Sequence, residues 1–191
     1  PDPDTPIEET MGALDHIVRS GRALYVGISN YRPKEALLAI KTLHQLGTPC
    51  IIHQPNYNMF DRWIEEGLLN ILDEEGIGCI VFSPLAQGML TNRYLEGIPV
   101  DSRAGKPGTF LKPENLTQDR MNKVRMLNEV AVLHGISLAQ LAINWTLRKP
   151  AVTSALIGAS RPDQISEIVD GTRKLELTSE EVNQIEIILG K

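Results

Sequence analysis

Polar side chains able to orient a ligand recur in this chain at one kind of place, directly after a short apolar run. Ser29-Asn30 follows Ala23-Leu24-Tyr25-Val26-Gly27-Ile28, and Gln54 closes Ile51-Ile52-His53. Ser83 follows Cys79-Ile80-Val81-Phe82, and Ser160 follows Ser154-Ala155-Leu156-Ile157 across Gly158-Ala159. Singly, each fits a strand-terminating turn; recurring at equivalent positions, they fit one shared ligand-binding edge, because α/β proteins bind ligands at the carboxyl ends of their strands. Reactive constellations are harder to find. Cys50 and Cys79 sit beside apolar residues without CxxC or Cys/His ligand spacing and read as buried reduced thiols. Of His16, His44, His53 and His134, only His53 lies near the presumed edge, where it reads as a core or second-layer histidine.

The elements that must position these groups alternate. Thr5, Pro6 and Glu8 read as a capping box and first helical proline, followed by Ile7, Met11, Leu14, Ile17 and Val18 at helical spacing until Gly21. The run Ala23–Ile28 reads as a buried parallel strand. Pro33 opens a helix burying Leu37, Leu38, Ile40 and Leu43 and ending near Gly47, and Ile51–Gln54 is the next strand. Residues Trp63 to Glu75 read as one helix leading through Gly76-Ile77-Gly78 into strand Cys79–Phe82. The stretch 86–116, punctuated by Gly88, Gly97, Pro99, Gly105, Pro107, Gly108 and Pro113, is too long for an ordinary connection and reads as a lid. Two helices follow. The first carries Val124, Leu127, Val130 and Leu133; the second is capped by Ser137 with Leu138, Leu141 and Trp145 on one face. Strand Ser154–Ile157, a helix near Pro162, and a last helix with a Thr178/Glu181 capping box and inward Val182, Ile185 and Ile188 complete the chain. Such alternation implies parallel βα units with right-handed crossovers.

The 191 residues, 42% hydrophobic and 23% charged, suffice for a packed core. A formal net charge of -5 offers no general attraction to phosphate backbones or anionic membranes, so nucleic acid and membrane are not expected partners. No apolar stretch approaches the roughly 20 residues that cross a bilayer, and no leader pattern is present, which predicts the cytoplasm. The opening Pro1-Asp2-Pro3-Asp4 lacks an initiating Met, and the natural protein is expected to begin further upstream.

Four motifs carry a resemblance: Val26-Gly27-Ile28-Ser29-Asn30-Tyr31, Gln54-Pro55-Asn56-Tyr57-Asn58, Phe82-Ser83-Pro84-Leu85-Ala86-Gln87-Gly88 and Leu156-Ile157-Gly158-Ala159-Ser160. Together they resemble the aldo-keto reductase superfamily over essentially the whole chain. The loop Tyr94-Leu95-Glu96-Gly97-Ile98-Pro99 followed by Asp101-Ser102-Arg103 is similar to the bacterial L-glyceraldehyde 3-phosphate reductase group and to the potassium-channel β subunits. The resemblance implies an α/β fold, the (β/α)₈ TIM barrel of the aldo-keto reductases. Residues 1–191 then form the carboxy-terminal part of a single barrel, from after strand four through strand eight, with 86–116 as a long loop over the cofactor. The family's catalytic Asp, Tyr, Lys and His come from the ends of the first four strands, and this chain is expected to hold none of them. Tyr25, Tyr31, Tyr57 and Tyr94 have no Lys partner at family spacing.

NADPH is the implied cofactor. Hydride transfer needs the nicotinamide ring held flat with one face shielded, and Phe82 resembles the stacking aromatic. Ser29, Asn30 and Gln54 match the positions that fix the ring's carboxamide, a task suited to a hydroxyl and two side-chain amides. Ser83, Pro84, Leu85, Ala86, Gln87 and Gly88 resemble the pyrophosphate loop, with Arg93 as a charge partner. Arg103, Gly158, Ser160 and Gln164 match the surroundings of the 2′-phosphate and its ribose, aided by a helix amino terminus. Glu167 matches the acceptor for the adenine amino group, while the Asn that often follows it in the family is Ile168 here, leaving one adenine contact in question.

The leading expectation is therefore an NADPH-dependent oxidoreductase. It would reduce an aldehyde or ketone, such as glyceraldehyde 3-phosphate or a methylglyoxal-like carbonyl, once an amino-terminal half supplies the catalytic residues. The competing expectations are a nucleotide-binding regulatory subunit of the channel β type and an inactive half-barrel. A small-molecule carbonyl substrate and a homo-oligomer complete the expected partners.

Overall fold

The computed structural model describes residues 1–172 and 176–190. The elements run α1 (Ile7–Arg19), β1 (Val26–Ser29), α2 (Pro33–Leu46), β2 (Cys50–Gln54), α3 (Leu68–Glu74), β3 (Gly78–Phe82), α4 (Gln118–Leu133), α5 (Leu138–Leu147), β4 (Val152–Leu156), α6 (Pro162–Thr172) and α7 (Ser179–Leu189). The chain divides into two compact units. One comprises Pro1–Tyr57, Asp61–Phe82 and Lys149–Ala155, and the other Asn58–Phe60, Ser83–Arg148 and Leu156–Lys191.

The first unit is built on a four-stranded sheet ordered β1-β2-β3-β4, with β2 parallel to both β1 and β3. In parallel register Ile28 lies beside His53 and His53 beside Cys79, and all three are buried. Ser29 and Gln54 form the next row, on the opposite face. A register irregularity separates Val26 from Gly27, and a side chain at Gly27 would begin 2.9 Å from the Ile52 carbonyl oxygen. Glycine lets the two strands close there.

Several local expectations are corrected. Thr5 does not cap α1: its hydroxyl donates to Asp2 at 2.7 Å, and Pro6 holds the N-cap position without a side-chain bond. The first strand starts at Val26 rather than Ala23, leaving Leu24 84% and Tyr25 70% exposed. Leu38 on α2 is also exposed, whereas Ala36, Ala39, Ile40 and Leu43 form the buried stripe. Trp63–Glu75 is not one helix, because Gly67 at φ 101° separates a 3₁₀ turn at Trp63–Glu65 from α3. Along β4 only Val152 is buried, and Thr153 and Ser154, which point to opposite faces, are both exposed.

In the second unit α4 packs on α5 and α7, and α5 on α6. Ser137 caps α5 and Thr178 caps α7, each with a reciprocal bond from the third residue, Gln140 or Glu181. Val124, Leu127 and Val130 are buried as expected, but Leu133, in the last turn of α4, is 80% exposed. Within 86–116 the loop is folded on itself. It contains 3₁₀ turns at Ala86–Gly88, Asn92–Tyr94 and Pro113–Asn115, and it buries Met89, Leu90, Tyr94, Ser102, Ala104 and Leu111. The Tyr94 hydroxyl accepts from the Ala104 amide at 3.3 Å, and the Ser102 hydroxyl donates to the Pro99 carbonyl at 2.5 Å.

Candidate functional site

Three candidate residues of the first unit are brought together where β1 and β2 end. The Ser29 hydroxyl donates to the Gln54 carbonyl at 2.7 Å, and the Asn30 amide donates to the same oxygen at 3.3 Å. The Asn30 side-chain oxygen accepts from the Asn56 amide at 3.0 Å. With its oxygen committed, Asn30 keeps its NH₂ group for other partners. Phe82 is half-buried at the end of β3, and its own amide donates to Pro55 at 3.0 Å. A parallel bridge between Asn56 and Phe82 ties β3 to the segment that grips Asn30.

Backbone conformation marks candidate residues in each unit. Among the described residues the non-glycine positions at positive φ are Asn30 (57°), Ser83 (54°), Ala86 (47°) and Gln87 (60°). Left-handed backbone costs an L-residue about 1–2 kcal/mol, and such conformations persist where surrounding structure over-determines them, often at ligand sites. All four belong to the sequence-predicted set. In the second unit the segment Ser83–Gly88 turns tightly: the Ala86 amide donates to Ser83 at 2.9 Å and the Gly88 amide to Leu85 at 2.9 Å. Gly88 follows at φ 101°, and Asn58 holds the turn by donating to the Ser83 carbonyl at 3.2 Å.

A second focus in this unit lies at the start of α6. The side-chain oxygen of Gln164 accepts from the Ser160 amide at 2.8 Å, the Arg161 amide at 3.2 Å and the Ser160 hydroxyl at 3.3 Å. Three donors thus converge on one acceptor oxygen at a helix amino terminus, an arrangement that suits an anion equally well. The guanidinium of Arg103 comes to this turn, with one terminal nitrogen 4.0 Å from where a Gly158 side chain would begin. Arg103, Gly158, Ser160 and Gln164 are therefore gathered at one place. Glu167 lies one turn further along α6, exposed, with its backbone carbonyl accepting from Gln140 at 2.6 Å. Arg93 pairs with Asp101 at 2.8 Å inside its own loop. Both partners are largely exposed, and a pair of that kind is worth little and exchanges readily.

His53 is fully buried, and its Nε2 lies 3.1 Å from the Tyr31 carbonyl. Burial pushes its pKa down to about 4 against the opposing bond to Tyr31, so the ring is neutral at physiological pH. Burial also raises Cys50 and pushes Cys79 up to about 12, which fits inert thiols. Among the described residues no group of three or more His, Cys, Asp or Glu could hold a metal ion.

A model of the aldo/keto reductase family matches residues 1–189. The chain belongs to the aldo/keto reductase family. It is 47% identical over 189 residues to L-glyceraldehyde 3-phosphate reductases of Escherichia coli O157:H7 and Escherichia coli (strain K12), in each case across 97% of this chain and 55% of the relative. Solved aldo/keto reductases share its fold. The thermostable aldo-keto reductase Tm1743, in complex with the inhibitor epalrestat, aligns at TM-score 0.71 and 26% identity over 98% of this chain and 57% of that one. The glycerol dehydrogenase AKR11B4 from Gluconobacter oxydans aligns at TM-score 0.78 and 26% identity over 100% of this chain and 56% of that one. This aldo/keto reductase chain thus spans about half the length of the curated relatives it matches. Sequence reasoning missed two features of it: the bond from His53 to Tyr31, and the left-handed backbone at Ser83, Ala86 and Gln87. No Gly or Asn at those three positions signals a positive φ.

Proposed function

We propose that this chain is the cofactor-holding part of an NADPH-dependent carbonyl reductase whose catalytic Asp, Tyr, Lys and His lie outside it. The observation that carries the reading is the convergence of the Ser160 and Arg161 amides and the Ser160 hydroxyl on the Gln164 oxygen, with Arg103 beside Gly158. In this reading a 2′-phosphate oxygen takes the place of the Gln164 oxygen, and Arg103 adds charge-assisted bonds, which are roughly twice as strong as neutral ones. Ser29, Asn30 and Gln54 fix the carboxamide of the nicotinamide, Phe82 shields one face of the ring, and the Ser83–Gly88 turn cradles the pyrophosphate with Arg93 released from Asp101. Glu167 accepts from the adenine, and the loop 86–116 covers the bound nucleotide. When bound, the cofactor supplies the hydride; the chain supplies orientation and exclusion of water. The fit is favoured by the left-handed backbone at Asn30, Ser83, Ala86 and Gln87, which sits where close approach to a ligand is needed. The reductase names of the curated relatives favour an enzyme over a regulatory subunit. In this reading the substrate is a small phosphorylated or dicarbonyl aldehyde, and the complete barrel works in the cytoplasm and assembles with copies of itself.

The test is Arg103→Ala in the full-length protein. Losing a charged hydrogen-bond partner at about 1.5–3 kcal/mol should weaken NADPH binding by roughly ten- to a hundredfold and leave NADH nearly unchanged. Equal losses for both cofactors would show that Arg103 only orders its loop. The chain by itself should consume no NADPH above buffer with a reactive aldehyde, because general acid catalysis typically contributes 10²–10⁴-fold and its residues are not expected here.

A further inference from the structure

The turn that carries Asn30 is held from two sides. On one side are backbone groups of the β2 segment: the Gln54 carbonyl takes the Ser29 hydroxyl and the Asn30 amide, and the Asn56 amide reaches the Asn30 side-chain oxygen. From the other comes a single side chain. His53 lies in register beside Ile28 on the buried face, opposite to Gln54, yet its Nε2 reaches beyond the end of β1 to the Tyr31 carbonyl at 3.1 Å. Its Nδ1 is buried with no hydrogen-bond partner among the described residues. A carbonyl only accepts, so the bond requires the proton on Nε2 and leaves Nδ1 bare. Nothing about a core position demands so polar a side chain in an apolar row between Ile28 and Cys79, since a Leu would fill it without an orphaned nitrogen. The ring's one satisfied bond goes to the residue after Asn30, which holds φ 57°.

We propose that His53 is a positioning residue: by donating from Nε2 to the Tyr31 carbonyl it locks the turn after β1, so that Asn30 presents its side-chain NH₂, and not its oxygen, to the carboxamide oxygen of the nicotinamide. The inference rests on the reading that Ser29, Asn30 and Gln54 hold that carboxamide. Without the histidine the Tyr31 carbonyl loses its buried donor, the turn relaxes toward ordinary backbone, and the Asn56 amide no longer fixes the Asn30 amide plane. The damage falls on the nicotinamide end alone, because the adenosine phosphate is assigned to the separate cluster at Arg103, Ser160 and Gln164.

Binding by the full-length protein tests this with NADPH and with 2′,5′-ADP, which shares the adenosine phosphates but lacks the nicotinamide. His53→Leu should weaken NADPH by about tenfold, the scale of one lost buried hydrogen bond, and leave 2′,5′-ADP unchanged. His53→Gln keeps an NH₂ donor of similar reach and should recover most of the loss. Equal weakening of both ligands, no weakening of either, or no recovery with Gln while 2′,5′-ADP still binds would overturn the assignment. Wild-type protein that binds 2′,5′-ADP as tightly as NADPH would instead remove the underlying nicotinamide reading, before any variant is compared. Should His53→Leu fail to fold, ¹⁵N NMR of the wild-type histidine ring decides: an Nε2–H tautomer with a slowly exchanging proton is expected, and an Nδ1–H tautomer refutes the bond on which the proposal stands.

Discussion

Lowering the pH should destabilise this chain through His53 more than through any residue at its surface. The ring is fully buried, its ordinary value is 6.5, and burial lowers it to about 4 in the folded state. The unfolded chain therefore binds a proton that the native chain refuses between those values, and stability falls as pH falls through that window. Above pH 6.5 both states are neutral and the contribution is constant. The gap of about two and a half units, at roughly 1.4 kcal/mol each, amounts to about 3 kcal/mol when complete and about 2.5 kcal/mol by pH 4.5. Against a net stability of about 5–15 kcal/mol for a typical domain, that is a large fraction. Urea unfolding followed by tryptophan fluorescence at pH 7.5 and 4.5, on wild type and His53→Leu, isolates the effect, since all other groups titrate alike in both. The variant should start less stable, having orphaned the Tyr31 carbonyl, but should lose about 2.5 kcal/mol less on acidification. Parallel pH dependences would show that His53 is hydrated or protonated in the native state and that its neutrality has been misjudged.

Ala86→Gly or Gln87→Gly should stabilise the chain by about 0.5–1 kcal/mol, relief of left-handed strain outweighing the extra freedom of the unfolded state; a loss of stability in denaturant titration would contradict the φ of 47° and 60° at these sites. Cys50 and Cys79 should resist a thiol reagent in native buffer at pH 8 and react together in urea, with rapid native labelling of Cys79 the contrary result. Because β1 and β4 are the outer strands of the sheet and Thr153 and Ser154 are exposed, light scattering on the isolated chain should show association that grows with concentration, whereas a monomer across the whole range with one cooperative unfolding transition would refute it.

Much of the frame was legible because local chemistry and final structure agree. Ser137 caps its helix as read, Thr178 with Glu181 caps α7 as their spacing announces, and Gly47 ends α2 at φ 83°. Where local rules failed, a competitor is visible. Asp2 draws off the Thr5 hydroxyl, Gly67 interrupts what apolar periodicity alone joins, and Leu24 and Tyr25 lie before the strand begins. Candidate site residues were recognisable at strand ends, but the backbone state of Ser83, Ala86 and Gln87 was not, since residue type carries no hint of it. Nor could spacing show that His53 reaches Tyr31 rather than a partner on its own strand, because that bond spans the end of the neighbouring strand.

The discontinuity of the first unit bears on how the chain acquires its shape. β1 and β2 are joined by contacts only 25 residues apart, such as Ser29 to Gln54, so they can zip together soon after leaving the ribosome. β4 docks differently: the Thr153 hydroxyl accepts from the Cys79 amide 74 residues earlier. Closing that longer loop costs about 1 kcal/mol more entropy if the intervening chain is flexible. Residues Ser83–Arg148, however, belong to a unit with contacts of its own, and once that unit has formed, its ends are no longer a random coil. If that unit forms first, the fourth strand needs little further search. Thr153→Val should consequently speed unfolding while leaving the refolding rate nearly untouched, the kinetic signature of a contact made after the barrier.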